Sequence, residues 1–190
     1  MSKLLWKPGA LLSPVPPALV TCGTLEAPNL LTIAWTGIVN TRPAMTYISV
    51  RPGRFSYPLI RQSGEFVLNL TTQELVPAAD FCGVRSGREV DKFAACGLTP
   101  QAASAVSAPL LAESPLSIEC RVRQVLELGS HHMFLADVVA VDVEERLVDR
   151  QGKLHLERAG LAAYAHGAYF ALGAPLGTFG FSVRKKPRRR

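Results

Sequence analysis

The chain has 190 residues, 48% of them apolar, which is enough to bury one sizeable core. Its net charge of +6 is an end effect. Arg184, Lys185, Lys186, Arg188, Arg189 and Arg190 are six of the 21 cations, so residues 1–183 balance 15 cations against 15 anions. A neutral body argues against nucleic acid, whose binders carry a basic face on the folded domain. Residues 1–183 are expected to form the domain, and residues 184–190 a solvated, disordered basic tail.

No run is long and apolar enough to cross a bilayer, and Pro8, Pro14, Pro16 and Pro17 interrupt the one apolar run near the N-terminus. No membrane partner and a cytoplasmic location are expected. Cys22, Cys82, Cys96 and Cys120 show neither Cys-x-x-Cys nor Cys/His metal spacing. Cys22 and Cys120 read as small core residues, and Cys82 as a packing residue near the candidate site.

In chain order, strand signals come first. Ala18 to Thr24, Leu30 to Val39, Met45 to Arg51 and Glu65 to Leu70 are short runs of β-branched, aromatic and aliphatic residues bounded by Gly, Pro and Asn. Ser56 before Tyr57-Pro58 predicts a helix start with proline in its first turn. Thr71-x-x-Glu74 reads as a capping box ahead of a helix, and Ser86-x-x-Glu89 as a second, with Gly97 as its stop. Ile118, Cys120 and Val122 alternate with Ser117, Glu119, Arg121 and Arg123, the pattern of a half-buried strand. After the Gly129-Ser130 turn, His132 to Val143 is apolar on both faces, as for a strand covered on each side. Periodicity alone leaves a closed barrel and an open sheet equally possible.

Three loop-separated segments carry chemistry: Asn29-Leu-Leu-Thr-Ile-Ala-Trp35, Arg54-Phe-Ser-Tyr57 and Cys82-Gly-Val-Arg-Ser-Gly-Arg-Glu-Val-Asp-Lys-Phe93. They supply an aromatic plane, small hydroxyls, glycines that let backbone approach, and several cations. A flat phosphorylated cofactor needs that set, and FMN fits it best: helix starts, hydroxyls and Arg or Lys hold a phosphate dianion. Together the segments resemble the flavin-reductase-like, FMN-binding split-barrel family, in its flavoredoxin branch. The closing Tyr164-Ala-His-Gly-Ala-Tyr169-Phe-Ala-Leu-Gly173 is similar to the family's last motif, with Phe170 where a hydroxyl is expected.

The resemblance implies a mainly β fold with inserted helices, a six-stranded antiparallel Greek-key split β-barrel working as a homodimer. It implies FMN contacts from Asn29, Thr32, Ala34 and Trp35 around the ring. Arg54, Ser56, Ser86, Gly87 and Lys92 are implied around the phosphate, with His131 and Tyr164 covering the flavin. Tyr169 and Phe170 are expected to pack the barrel. No Ser/His/Asp set, zinc spacing, Walker loop or paired acid is present, so no catalytic side chain is assigned and the chemistry falls to the cofactor. The expected function is electron or hydride transfer through bound FMN, fed by NAD(P)H or by a protein donor such as ferredoxin. Alternatives are a reductase that releases FMN to a monooxygenase, a non-enzymatic module acting through the tail, and a haem-binding relative.

Overall fold

The structure, a computed structural model, describes residues 1–184. Of the basic tail expected at 184–190, all but Arg184 lies outside the described residues. Strands β1 (Ala18–Gly23) and β2 (Pro28–Ile33) form one hairpin, and β3 (Thr36–Thr41) and β4 (Ala44–Val50) another. Helix α1 (Ser56–Ser63) leads to β5 (Glu65–Leu70). Then come α2 (Val76–Val84), α3 (Lys92–Cys96) and the two-residue strands β6 (Pro100–Gln101) and β7 (Leu110–Leu111). The long hairpin β8 (Leu116–Glu127) and β9 (His132–Val143) follows, then β10 (Ala162–Ala165) and β11 (Ala168–Ala171).

The main sheet is antiparallel, in the order β2-β1-β5-β8-β9-β4-β3. Its two outer members are consecutive in the chain. β2 pairs with β1 as far as Ile33, and β3 pairs with β4 from Thr36. Only Ala34 and Trp35 separate them, and the Ser49 amide donates to the Trp35 carbonyl at 3.0 Å. The expected run from Leu30 to Val39 is therefore one strand bent in the middle, and its two halves close six strands into a barrel. β5 returns beside β1 after the first three strands, which is a Greek key.

Alternation sets the layers. Ala18, Val20 and Cys22 point into the barrel with Leu31, Ile48, Phe66, Leu68, Cys120 and Phe134, and Tyr57 and Ile60 of α1 pack against this core. Leu19 and Leu30 point outward and are covered by Ala79 and Cys82 of α2 and by Phe93 of α3. Both faces of β1 are therefore buried, and its one polar side chain, Thr21, donates to the Pro109 carbonyl. Cys22 and Cys120 are fully buried, as expected.

Two strand faces differ from expectation. Ser117 and Glu119 lie on the face of β8 read as solvated, yet both are buried. The Ser117 hydroxyl donates to Asn69 Oδ1 at 2.7 Å, and the loop from Ser104 to Val106 covers Glu119, with its three amides and the Ser104 hydroxyl donating to the carboxylate at 2.6–3.0 Å. Burial alone would raise the Glu119 pKa, but these hydrogen bonds hold it below the usual carboxylate range. On β9 the reverse occurs: among the described residues Val139 and Val141 are left 36% and 51% exposed.

The helix starts also shift. α2 has no side-chain cap; Thr72, in place of Thr71, takes the Leu75 amide, and the buried Thr71 hydroxyl has no partner among the described residues. Asp91 caps α3 by accepting from the Ala94 amide at 3.2 Å, while Ser86 to Val90 is a turn. Ser56 is the first residue of α1, and its cap position is Phe55. Asp91 carries a better cap acceptor than Ser86 because a carboxylate also meets the positive end of the helix. Among the described residues no helix is long and apolar enough to cross a membrane.

Candidate functional site

The bend at Ala34 and Trp35 opens the barrel wall where β2 leaves β1 and β3 joins β4. A cavity of about 440 Å³ lies there, walled by Leu31 to Trp35, by Ser49 to Arg51, and by Asp80, Gly83 and Val84 of α2. His131, Tyr164 and Tyr169 also line it. A second cavity, of about 250 Å³, lies between Gly53 to Ser56 at the start of α1 and Arg85 to Glu89 after α2. The two share Leu31 and Arg54, so they form one site with a broad end and a cationic end.

Thr32, Ala34 and Trp35 line the broad end, as does His131. Trp35 is 45% exposed and packs on the His131 ring, with centroids 4.4 Å apart and planes tilted by 44°. A tryptophan left half-exposed at a strand break, with a second ring against it, offers a flat apolar surface to a ligand. The Thr32 hydroxyl donates to the Ala79 carbonyl and so fixes β2 to α2. Tyr164 reaches the cavity from β10, which is held to the body by the Val15–Tyr164 bridge.

Arg54, Ser56, Ser86, Gly87 and Lys92 gather at the cationic end. Asn29 lines neither cavity. It lies behind them, where its amide donates to the Ser56 hydroxyl at 2.7 Å and to Cys22 Sγ at 3.5 Å. Gly87 presses on this brace: a Cβ there would collide with Asn29 Oδ1 and lie 2.7 Å from Phe55 Cδ1. Asn29 thus positions the cavity wall, and only glycine lets the Ser86–Arg88 turn approach so closely.

Lys92, which the resemblance implies at the phosphate, is buried. It is the first residue of α3 and 5% exposed, and its Nζ donates to the carbonyls of Leu30 (2.9 Å) and Cys82 (2.8 Å). Burial pushes its pKa below the usual lysine range, and Arg54 nearby adds to the shift. Lys92 therefore ties β2 to the end of α2 and puts a fixed positive charge under the cationic cavity. Arg54, Arg85 and Arg88 line the same cavity, with Glu89 as the one acid among its lining residues. None of these three arginines forms an ion pair among the described residues.

His131 meets the same field at the broad end. Burial pushes its pKa below the usual imidazole value, and the charges of Arg51 and Arg54 push it further. The ring is therefore neutral at neutral pH, with Nδ1 3.0 Å from the Ser130 hydroxyl. His132 is committed elsewhere, 2.7 Å from the Tyr57 hydroxyl.

Arg51, Asp80 and Gly83, to which the sequence assigned no contact, and Tyr169, expected to pack the barrel, also line the broad end. Arg51 carried a usable signal, since it ends a strand on the same loop as Arg54. Tyr169 faces this cavity and meets Tyr164 edge-on at 5.2 Å, while Phe170 is 53% exposed. Neither packs the barrel, because β10 and β11 form a separate two-stranded sheet.

Residues 11–173 match the family described as "Flavin reductase like domain". The chain belongs to the flavin reductase-like family. This flavin reductase-like chain is 29% identical to flavoredoxin of Desulfovibrio vulgaris (Miyazaki F), with a TM-score of 0.88 over 97% of this chain and 100% of that one. It is 26% identical to an FMN-binding protein from Thermus thermophilus solved with 1-cyclohex-2-enone, with a TM-score of 0.73 over 92% and 99% of the two chains. An uncharacterized protein of Aeropyrum pernix is 33% identical over 131 residues, 68% of this chain and 50% of that protein. Alignment with an Archaeoglobus fulgidus relative likewise covers 66% of that protein, so the chain spans about half to two-thirds of these curated relatives.

Proposed function

We propose that this flavin reductase-like protein holds FMN and works as a flavoredoxin-like oxidoreductase. The observation that carries this reading is the joined cavity: a broad end against Trp35 and His131, continuous through Leu31 and Arg54 with an end lined by three arginines. A ligand that is flat at one end and anionic at the other matches it. The turn at Gly87 fits a phosphate, since a β-carbon there would close the backbone against Asn29 and Phe55. The flavoredoxin and FMN-binding names of the two solved relatives support the same reading.

Bound FMN would supply one- and two-electron redox chemistry. The chain's residues bind and orient. Arg54, Arg85 and Arg88 neutralise the phosphate, helped by the Ser56 and Ser86 hydroxyls, while Lys92 holds β2 and α2 together beneath it. Trp35 and Ala34 give the ring an apolar seat. Neutral His131 offers a hydrogen bond without adding charge at the ring's polar edge. Tyr164 and Tyr169 shield the far side from water. Arg51 lines the broad end but not the cationic end, so it is free to meet an anionic group on a reactant arriving at the ring.

We place residues 1–183 together as the flavin-binding domain, in the cytoplasm, with NAD(P)H or a small redox protein such as ferredoxin as donor. Homodimer assembly is supported by the apolar surface left bare. Leu4, Leu5, Trp6 and Leu12 near the N-terminus are exposed, as are Leu176, Phe179 and Phe181 near the C-terminus and Val139 and Val141 on β9. The donor is tested by anaerobic addition of NADH, NADPH or reduced ferredoxin to FMN-loaded protein. Bleaching of the flavin by one of them, with the flavin still co-eluting on gel filtration, is the expected result. Bleaching accompanied by loss of flavin from the protein would instead favour a reductase that releases its flavin.

A further inference from the structure

Cys82 and Cys96 stand fourteen residues apart in sequence, yet their sulfurs lie 3.9 Å from each other. Cys82 is in the last turn of α2, and Cys96 is the last residue of α3. The segment between the two helices, Arg85 to Asp91, forms one wall of the cationic cavity. All four cysteines are free thiols, and among the described residues no other two are within hydrogen-bonding distance of each other. Cys82 is 1% exposed, whereas Cys96 is partly exposed and open to a reagent from solvent.

We propose that Cys82 and Cys96 are an oxidisable dithiol that closes to a reversible disulfide, stapling α2 to α3 and fixing the segment between them over the cationic cavity. Hydrogen peroxide, which forms when a reduced flavin meets dioxygen, is a sufficient oxidant. The Cys96 sulfur attacks one peroxide oxygen; the O–O bond breaks, the other oxygen leaves as water, and Cys96 becomes a sulfenic acid. The Cys82 sulfur then attacks the Cys96 sulfur; the S–O bond breaks, and a second water leaves. Two thiols have lost two protons and two electrons, and the peroxide has taken up both.

The order follows from the surroundings. Burial, reinforced by the neighbouring Cys96, pushes the Cys82 thiol up to about 12, so it is a poor first nucleophile. Conversion of Cys96 to a neutral sulfenic acid removes part of that penalty. The sulfurs must close from 3.9 Å to about 2.05 Å for the bond to form. Once it has formed, residues 85–91 cannot swing outward by parting the helices. With FMN bound, that would slow its departure, and this consequence, like the flavin as a source of peroxide, rests on the function proposed above.

The test needs no flavin. Full-length reduced protein is treated with hydrogen peroxide, quenched with an alkylating reagent and mapped by mass spectrometry. A Cys82–Cys96 cross-link that dithiothreitol reverses is expected, and Cys96→Ser should show none while still folding, because Cys96 lies at the partly exposed end of its helix. Wild-type protein in which both thiols stay alkylatable, or in which Cys96 stops at the sulfinic acid, would overturn the proposal. Amide hydrogen exchange across residues 85–91 should slow in the oxidised form and not in treated Cys96→Ser. Equal exchange in oxidised and reduced wild type would refute the stapling.

Discussion

Gly87→Ala is expected to weaken FMN binding by about 100-fold or more, equivalent to about 2.8 kcal/mol. The added methyl meets Asn29 Oδ1 and Phe55 Cδ1, and neither can yield cheaply. Asn29 is 8% exposed and pinned by its bonds to Ser56 and Cys22. Phe55 lies at the start of α1 with the Arg88 guanidinium 6.0 Å above its ring. Relief must come from moving the Ser86–Arg88 turn outward or from breaking the Asn29–Ser56 bond. Either change displaces groups assigned to the phosphate. Overpacking of this kind also costs about 1–3 kcal/mol of fold stability. Calorimetric titration with FMN, alongside thermal unfolding of the apoprotein, separates the two effects. A wild-type dissociation constant in a folded Gly87→Ala protein would mean that this turn does not hold the phosphate.

Lys92→Met is expected to cost about 3 kcal/mol of stability, because hydrogen bonds from a charged donor are worth about 1.5–3 kcal/mol each and two buried carbonyls lose their partner. For a chain of this length the melting temperature should fall by about 6–12 °C. Methionine keeps most of the aliphatic stem, so packing changes little and the loss reports the ammonium. The same substitution removes the fixed charge under the cationic cavity, so FMN affinity should fall as well. Arg54→Met gives the contrast: Arg54 is exposed and lines the cavity, so FMN affinity should drop with little change in melting temperature. If Lys92→Met melts with the wild type, the two carbonyl bonds do not hold β2 to α2.

Most of the barrel was legible because strand runs and their alternation are local signals. The alternation of β8, the length of β9 and the apolar character of β1 all show in the order of side chains. What could not be read depends on residues far apart in sequence. Glu119 looked solvated because the Ser104–Val106 loop that covers it lies more than a dozen residues away. Val139 and Val141 looked covered because periodicity reports apolar residues without saying what packs on them. The break at Ala34 and Trp35, which opens the site, falls inside a run that reads as one continuous strand.

The site residues divide the same way. Thr32, Ala34, Trp35, Arg54, His131 and Tyr164 line the broad end, and Arg54, Ser56, Ser86, Gly87 and Lys92 the cationic end. Their roles needed coordinates. A Ser-x-x-Glu spacing suggested that Ser86 caps a helix, but Asp91 offers the stronger cap, and α3 starts five residues later than that spacing implies. Lys92 was expected at the phosphate, but nothing local shows that two carbonyls, from Leu30 and Cys82, converge on its amine.

The central claim is that both cavities together hold one molecule of FMN, and an isothermal titration of apoprotein with FMN and with riboflavin tests it most directly. FMN should bind one per chain, and riboflavin, which lacks the phosphate, at least tenfold more weakly, because Arg54, Arg85 and Arg88 then lose their partner. Equal affinity for the two would contradict the assignment of the cationic end, and no heat with either would contradict the whole site.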